Sequence, residues 1–265
     1  MKMAPKNKTK SLFNPDKMLL SKDSSFSVQE AYKTLRTNIT FSLPGNESKC
    51  IGITSAYRGD GKSSVAINLA IAFAQIKKKV IIIDCDMRIP TVASKIGIDS
   101  KPGLSDYLAG TNNMDDTLIR KIPEYGIDVL PSGTVPPDPT ILLESPQMQH
   151  IIEILKKYYD YIILDFPPVA VVSDAAIMSK SVDGFLIIVR HNTSEYTKVE
   201  ETLRQLEFAD AKIIGFVYNA KELENIYKGS KRYYYRNYYK TRRRNKDDNK
   251  EAEKQSKNTS KGKNK

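Results

Sequence analysis

The stretch TSAYRGDGKSS, residues 54–64, gathers the residue types that hold a polyphosphate. Gly59, Asp60 and Gly61 form a turn in which the two glycines let the backbone bend tightly and present N–H groups to phosphate oxygens. Lys62 has the length to reach the β- and γ-phosphates, and Ser63 can ligate Mg²⁺. Ala56 stands where the spacing G-x-x-x-x-G-K-[ST] has its first glycine. The apolar run before the loop and the helical run after it supply the missing context, because they also put a phosphate at a helix N-terminus.

Two acidic run ends accompany the loop. Asp84 and Asp86 close VIIIDCDMR, and Asp165 closes YIILD. Side chains two apart on a strand face the same side, so Asp84 and Asp86 can enter one crevice. Asp165 is the acidic partner expected in a Mg²⁺ shell. One acidic strand end alone reads equally well as a helix cap or a surface ion pair. Three carboxylates on two strand ends beside a phosphate loop read better as a metal and proton-transfer site. His150 and His191 stand apart from any triad or metal spacing and receive no role.

Such a site needs strands to deliver its residues. CIGIT (50–54), VIIID (80–84), YIILD (161–165), FLIIV (185–189) and KIIGFVY (212–218) are continuous apolar runs, as in strands buried on both faces. Helix-period stretches lie between them: SVAINLAIAFAQ, SPQMQHIIEILKKYY, which starts with Pro146 in the first helical position, and KVEETLRQLEF. This alternation predicts an α/β fold, a mostly parallel sheet with helices on both faces. Upstream, SVQEAYKTLRTNITF opens with Ser27 and Glu30 in capping-box spacing and sets Val28, Ala31, Leu35 and Ile39 on one face. That helix suits packing on its own domain as well as docking on another subunit.

The chain has 265 residues and a net charge of +11, carried by its ends. Residues 221–265 hold 16 Lys and Arg against 6 Asp and Glu, and residues 1–22 hold 6 against 1, which leaves residues 23–219 at −4. The expected organisation is a basic flexible segment over 1–25, one phosphate-loop domain over 26–220, and a basic tail over 221–265. After Thr241 the tail has almost nothing apolar to bury and is expected to be disordered. Before it comes KRYYYRNYYKTRRR (231–244). Tyrosines among arginines can stack on single-stranded nucleic acid, lie on an anionic membrane or accept phosphate. Cys50 and Cys85 sit in apolar runs, and no secretion signal or run of about 18 apolar residues is present, so the expectation is a reduced, cytoplasmic chain.

TSAYRGDGKSS, VIIIDCDMRIP and YYDYIILDFPPV, with the tyrosine cluster, together resemble the bacterial tyrosine kinases of capsule and exopolysaccharide synthesis. They are most similar to the Firmicutes type, in which the cytoplasmic kinase and its membrane activator are separate chains. The resemblance covers residues 26–240 and includes PSGTVPPDPTILLES (131–145), RHNTSEYTKVEETL (190–203) and GFVYNAK (215–221). It implies a P-loop NTPase-type fold, ATP and Mg²⁺, and transfer of the γ-phosphoryl group to tyrosine. By resemblance Lys62 and Ser63 hold phosphates and metal, Ser64 lies on the α-phosphate side, and Asp84 and Asp165 belong to the metal shell. Asp86 orients the phenol or accepts its proton, and Asn219 lies near the adenine. Glu30 and Arg36 contribute to a subunit interface. The acceptors are Tyr233, Tyr234, Tyr235, Tyr238 and Tyr239, with Tyr227 as an addition.

The implied partners are further copies of the chain in a ring or linear assembly, a membrane activator that regulates polysaccharide chain length, a cognate tyrosine phosphatase, and polysaccharide-synthesis enzymes as substrates. No nucleic acid is expected, and the activator would recruit the kinase to the inner face of the membrane. The nearest alternative on the same fold is a partition or division-site ATPase. Those proteins carry K-G-G-x-G-K-[ST], and here Tyr57 stands in place of the signature lysine. A eukaryotic-type kinase is excluded, since no H-R-D or D-F-G pattern occurs.

Overall fold

The computed structural model describes residues 19–112 and 117–219. The tail with Tyr227 and the five clustered tyrosines lies outside the described residues.

Five strands follow the five apolar runs: β1 (Lys49–Ser55), β2 (Val80–Asp84), β5 (Tyr161–Asp165), β6 (Gly184–Arg190) and β7 (Ile213–Asn219). Two more, β3 (Arg120–Ile122) and β4 (Ile127–Leu130), complete a sheet of order β3-β4-β2-β5-β1-β6-β7. All neighbours are parallel except β3 and β4. Alternate residues of each strand go to opposite apolar layers, which is why the runs are continuous. Cys50, Ile81, Ile83, Ile162, Leu164, Phe185 and Ile187 face one core. Ile51, Ile53, Ile82, Ile163, Leu186 and Ile188 face the other.

The second core is covered by α1 (Phe26–Ser42) and α2 (Lys62–Ala74), and 11 of the 13 residues of α2 are buried. The opposite layer takes α6 (Pro146–Leu155), through Met148, Ile151, Ile152 and Leu155, and α8 (Tyr196–Phe208), through Leu206. Short helices α3 (Val92–Ile96), α4 (Leu104–Leu108), α5 (Pro139–Leu143) and α7 (Asp174–Ile177) fill the connections. Ser145 caps α6 by accepting from Met148 N–H, with Pro146 first in the helix. Among the described residues no helix is long and apolar enough to cross a membrane.

The start and inner face of α1 differ from the sequence expectation. Ser25 is the N-cap, accepting from Val28 N–H, while Glu30 pairs with Lys33 at 2.8 Å. The earlier start is held by Gln29, whose side chain donates to Ser24 O and Lys22 O. Ahead of it Leu19 and Leu20 are buried, and Leu20 N–H donates to Asn68 of α2. Val28 and Ala31 point outward; the face laid on α2 is Tyr32, Leu35, Arg36 and Ile39, with Arg36 donating to Ala72 O at 2.7 Å.

Gly52 of β1 is paired with Phe185 of β6, and a Cβ there would lie 2.5 Å from Phe185 Cδ1. Gly52→Ala is expected to cost about 1–3 kcal/mol by overpacking, read by urea unfolding. Adding Phe185→Leu should recover part of that loss, and a double variant no better than the sum of the singles would refute the steric cause.

Candidate active site

Strands β1 and β5 are neighbours whose connections depart to opposite sides of the sheet, β1 toward β2 and β5 toward β6. At such a switch point the C-terminal ends of the strands leave a crevice open to ligands. The loop after β1, Asp84 at the end of β2 and Asp165 at the end of β5 all meet there, and Asp84 and Asp165 are register partners.

The loop bends through Gly59 (φ 90°) and Gly61 (φ 96°), a left-handed conformation that glycine adopts without strain. It delivers Lys62 as the first residue of α2. Lys62 Nζ donates to Asp86 Oδ2 at 2.8 Å, with the two residues only 7% and 5% exposed. Burial alone would depress the lysine, but Asp165, Asp86 and Asp84 outweigh it and raise its pKa, so the ammonium stays charged. The same Asp86 accepts from Ile89 N–H at 3.0 Å, which holds the turn after β2.

The other two carboxylates differ in how they are engaged. Asp84 accepts from Asp86, Thr91 and Val92 N–H groups, so both of its oxygens serve the turn and the start of α3. Asp165 is fully buried, and among the described residues neither oxygen has a close hydrogen-bond partner. Burial pushes both carboxyls upward; for Asp165, Lys62 and the nearby Ser63 hydroxyl oppose the rise. Ser63 Oγ accepts from Thr91 Oγ1 at 2.8 Å, so its own proton can turn to the Asp165 carboxylate.

A buried carboxylate without donors, beside a hydroxyl and a cationic side chain, fits a divalent cation. Among the described residues no three His, Cys, Asp or Glu side chains converge into a metal cluster. A buried carboxylate beside a serine hydroxyl suits Mg²⁺, which takes one or two protein oxygens and fills its shell with water and phosphate. Ser63 and Asp165 are the residues that would hold it, with Asp84 behind them.

The structure adds Thr91, Asp174, Thr140 and Arg190, which the sequence did not single out, and gives Arg88 and Asn219 partners. Thr91 holds Ser63. Arg88 donates to both oxygens of the buried Asp174, at 3.1 and 3.3 Å, and to Thr140 Oγ1. Arg190 donates to Gly59 O at 2.7 Å, and Asn219 donates to Asp60 O at 2.7 Å. Glu30 and Arg36 lie on α1, on the sheet face that carries α2; Ser64 follows Ser63 in the first turn of α2.

Asp165→Asn should raise the melting temperature of nucleotide-free, chelated protein. A raised carboxyl pKa contributes stability below its usual value of 3.8 that is lost as pH rises through the folded value. The variant's advantage should therefore widen upward from about pH 4, while its stabilisation by Mg²⁺ and nucleotide together disappears. A gap that stays constant with pH would contradict the burial argument.

Residues 48–214 match the AAA domain family. The tyrosine-protein kinase YwqD of Bacillus subtilis (strain 168) is 36% identical over 194 residues, 73% of this chain and 81% of that protein. The kinase domain of the Escherichia coli tyrosine kinase ETK superposes with a TM-score of 0.71 at 34% identity, covering 74% of this chain and 77% of that one. The septum site-determining protein MinD of Pyrococcus horikoshii OT3, complexed with Mg-ADP, reaches 0.55 at 26% identity, covering 65% and 70%. Identity of 36% over 73% of this chain and 81% of YwqD, on a fold shared with the ETK kinase domain, makes this chain a member of the bacterial tyrosine kinase family.

Proposed function

We propose that the chain transfers the γ-phosphoryl group of Mg-ATP to the clustered tyrosines of its own C-terminal segment, in trans between subunits, and so regulates capsular or extracellular polysaccharide synthesis. The observation that carries this reading is the buried set of Lys62, Asp86 and Asp165 at the switch point, with one carboxylate tied to the lysine and one without a donor. A simple phosphate-binding protein has no need of a second carboxylate where an acceptor would enter.

Bound Mg²⁺ would offset phosphate charge as the bond between the γ-phosphorus and the bridging oxygen breaks. Lys62, turned from Asp86 to the phosphate oxygens, would stabilise charge on the departing ADP. Asp86, released from the lysine, would accept the phenol proton as the tyrosine oxygen bonds to phosphorus. Ser63 and Asp165 would hold the cation, and Asp84 would fix the turn that carries Asp86. Asn219 and Ser64 would complete the nucleotide pocket on the adenine and α-phosphate sides.

Tyr233 lies fourteen positions beyond Asn219, a contour of about 50 Å. A domain of this size has a radius of gyration of about 16–17 Å, so a neighbour's crevice lies within reach. Glu30 and Arg36 on α1 would serve that assembly, although Arg36 already anchors the helix to α2. A membrane activator would bring the chain to the inner face of the membrane, a cognate phosphatase would reverse the modification, and polysaccharide-synthesis enzymes would be further substrates.

Intact mass before and after incubation with Mg-ATP and the cytoplasmic segment of the activator tests the reaction. Wild type should gain mass in phosphate steps, while Lys62→Met and a chain ending at Ala220 should gain none. ATP consumed without added mass would instead indicate a partition-type ATPase, and no change of either kind would overturn the kinase reading.

A further inference from the structure

The crown of the phosphate loop is gripped from one side by two strand ends. Arg190, the last residue of β6, donates from Nη1 to Gly59 O at 2.7 Å, and Asn219, the last residue of β7, donates from Nδ2 to Asp60 O at 2.7 Å. Arg190 and Asn219 are register partners, so the two donors stand side by side. Both strand ends are themselves held: Arg190 N–H donates to Ser194 Oγ at 2.9 Å, and Asn219 O accepts from His191 N–H at 3.0 Å. On the loop side, Asp60 Oδ2 accepts from Tyr57 N–H and Ser55 Oγ donates to Tyr57 O.

The peptides joining Gly59 to Asp60 and Asp60 to Gly61 are trans. In a trans peptide the carbonyl and the next N–H point in opposite directions. Fixing Gly59 O toward β6 and Asp60 O toward β7 therefore turns the N–H groups of Asp60 and Gly61 to the far side of the loop. Neither donates to any described residue. Two adjacent amides without acceptors, ahead of the 13-residue α2, form the concavity in which an anion is held. The absence of a side chain at Gly61 is part of the same arrangement, because a Cβ there would overlap the Asn219 amide nitrogen.

We propose that Arg190, with Asn219 beside it, is a positioning residue for nucleotide. It acts through the Gly59 carbonyl to preset the loop amides for a polyphosphate. The proposal rests on reading residues 54–64 as a phosphate loop. Its guanidinium is exposed, so the contact adds little to global stability and its effect falls on the loop.

The test uses the full chain and calorimetric titration with Mg-ADP, inorganic tripolyphosphate and adenosine, alongside the melting temperature of ligand-free protein. Arg190→Ala should weaken ADP and tripolyphosphate by a common factor of about ten, equivalent to about 1.4 kcal/mol. Adenosine affinity should not move, and the ligand-free melting temperature should change by less than about 2 °C. Arg190→Lys should recover much of the loss, because an ammonium can donate to the same carbonyl. The tenfold factor should persist at about 0.5 M salt, where long-range attraction by an exposed cation is screened.

Unchanged tripolyphosphate binding in Arg190→Ala overturns the proposal and leaves the phosphate loop standing. So does a loss shared by adenosine, a loss that follows a fall in melting temperature, or one that vanishes in salt. A wild-type chain that binds neither ADP nor tripolyphosphate overturns the phosphate-loop reading and this proposal together.

Discussion

One ammonium and three carboxylates share a nearly dry space at the ends of adjacent strands, and the fold is organised around making that tolerable. An unpaired buried charge is expensive, so each of these groups needs donors, a counter-ion or a proton. Asp84 draws three backbone N–H groups, Asp86 takes Lys62 and one N–H, and Asp165 has no close hydrogen-bond donor among the described residues, only the nearby Ser63 hydroxyl. The inequality matters chemically. The satisfied carboxylate fixes a turn, the lysine-paired one can exchange its partner, and the empty one has the strongest demand for a cation.

Keeping those groups in place requires rigid elements on both sides of the phosphate loop. The parallel register sets Asp84 beside Asp165, and Ile53 of β1 beside Asp165 in turn, which fixes the loop relative to the acids. From the β2 side, Thr91 holds Ser63. From the far side, β6 and β7 hold the carbonyls of Gly59 and Asp60. The loop is thus suspended between strand ends rather than resting on its own turn chemistry, which explains how Ala56 can replace the first glycine. That position is completely buried, and its backbone needs no left-handed conformation.

The parts legible in the sequence are those whose signal is local. A sheet buried on both faces writes continuous apolar runs, so β1, β2, β5, β6 and β7 could be read directly, and the acids that close those runs came with them. Strands β3 and β4 were not legible: the first has three residues with a polar edge, and the second is four residues long with Asp128 inside it. The start of α1 was misread because two serines lie two apart, and Gln29 and the buried Leu19 and Leu20 decide between them. Arg190 and Gly59 are separated by 131 positions, and no spacing rule connects them. Long-range polar contacts to backbone leave no pattern in a single sequence.

The acceptor raises a separate physical question, because water is always present in excess and a kinase must favour a phenol over it. The groups proposed to act in catalysis would answer part of it by exclusion: with Lys62 and Asp86 less than a tenth exposed, little room is left for solvent around them. Covalent attachment supplies the rest under the proposed reaction. Five tyrosines carried 14 or more residues beyond Asn219 compete at an effective concentration on the order of millimolar when the sites can be spanned. Their arginine and lysine neighbours add attraction toward a core segment of net charge −4, and each phosphate, at about −1.5 to −2, subtracts from it. Under the proposed reaction, a tail of this composition would be a substrate whose affinity for the assembly falls as it is used.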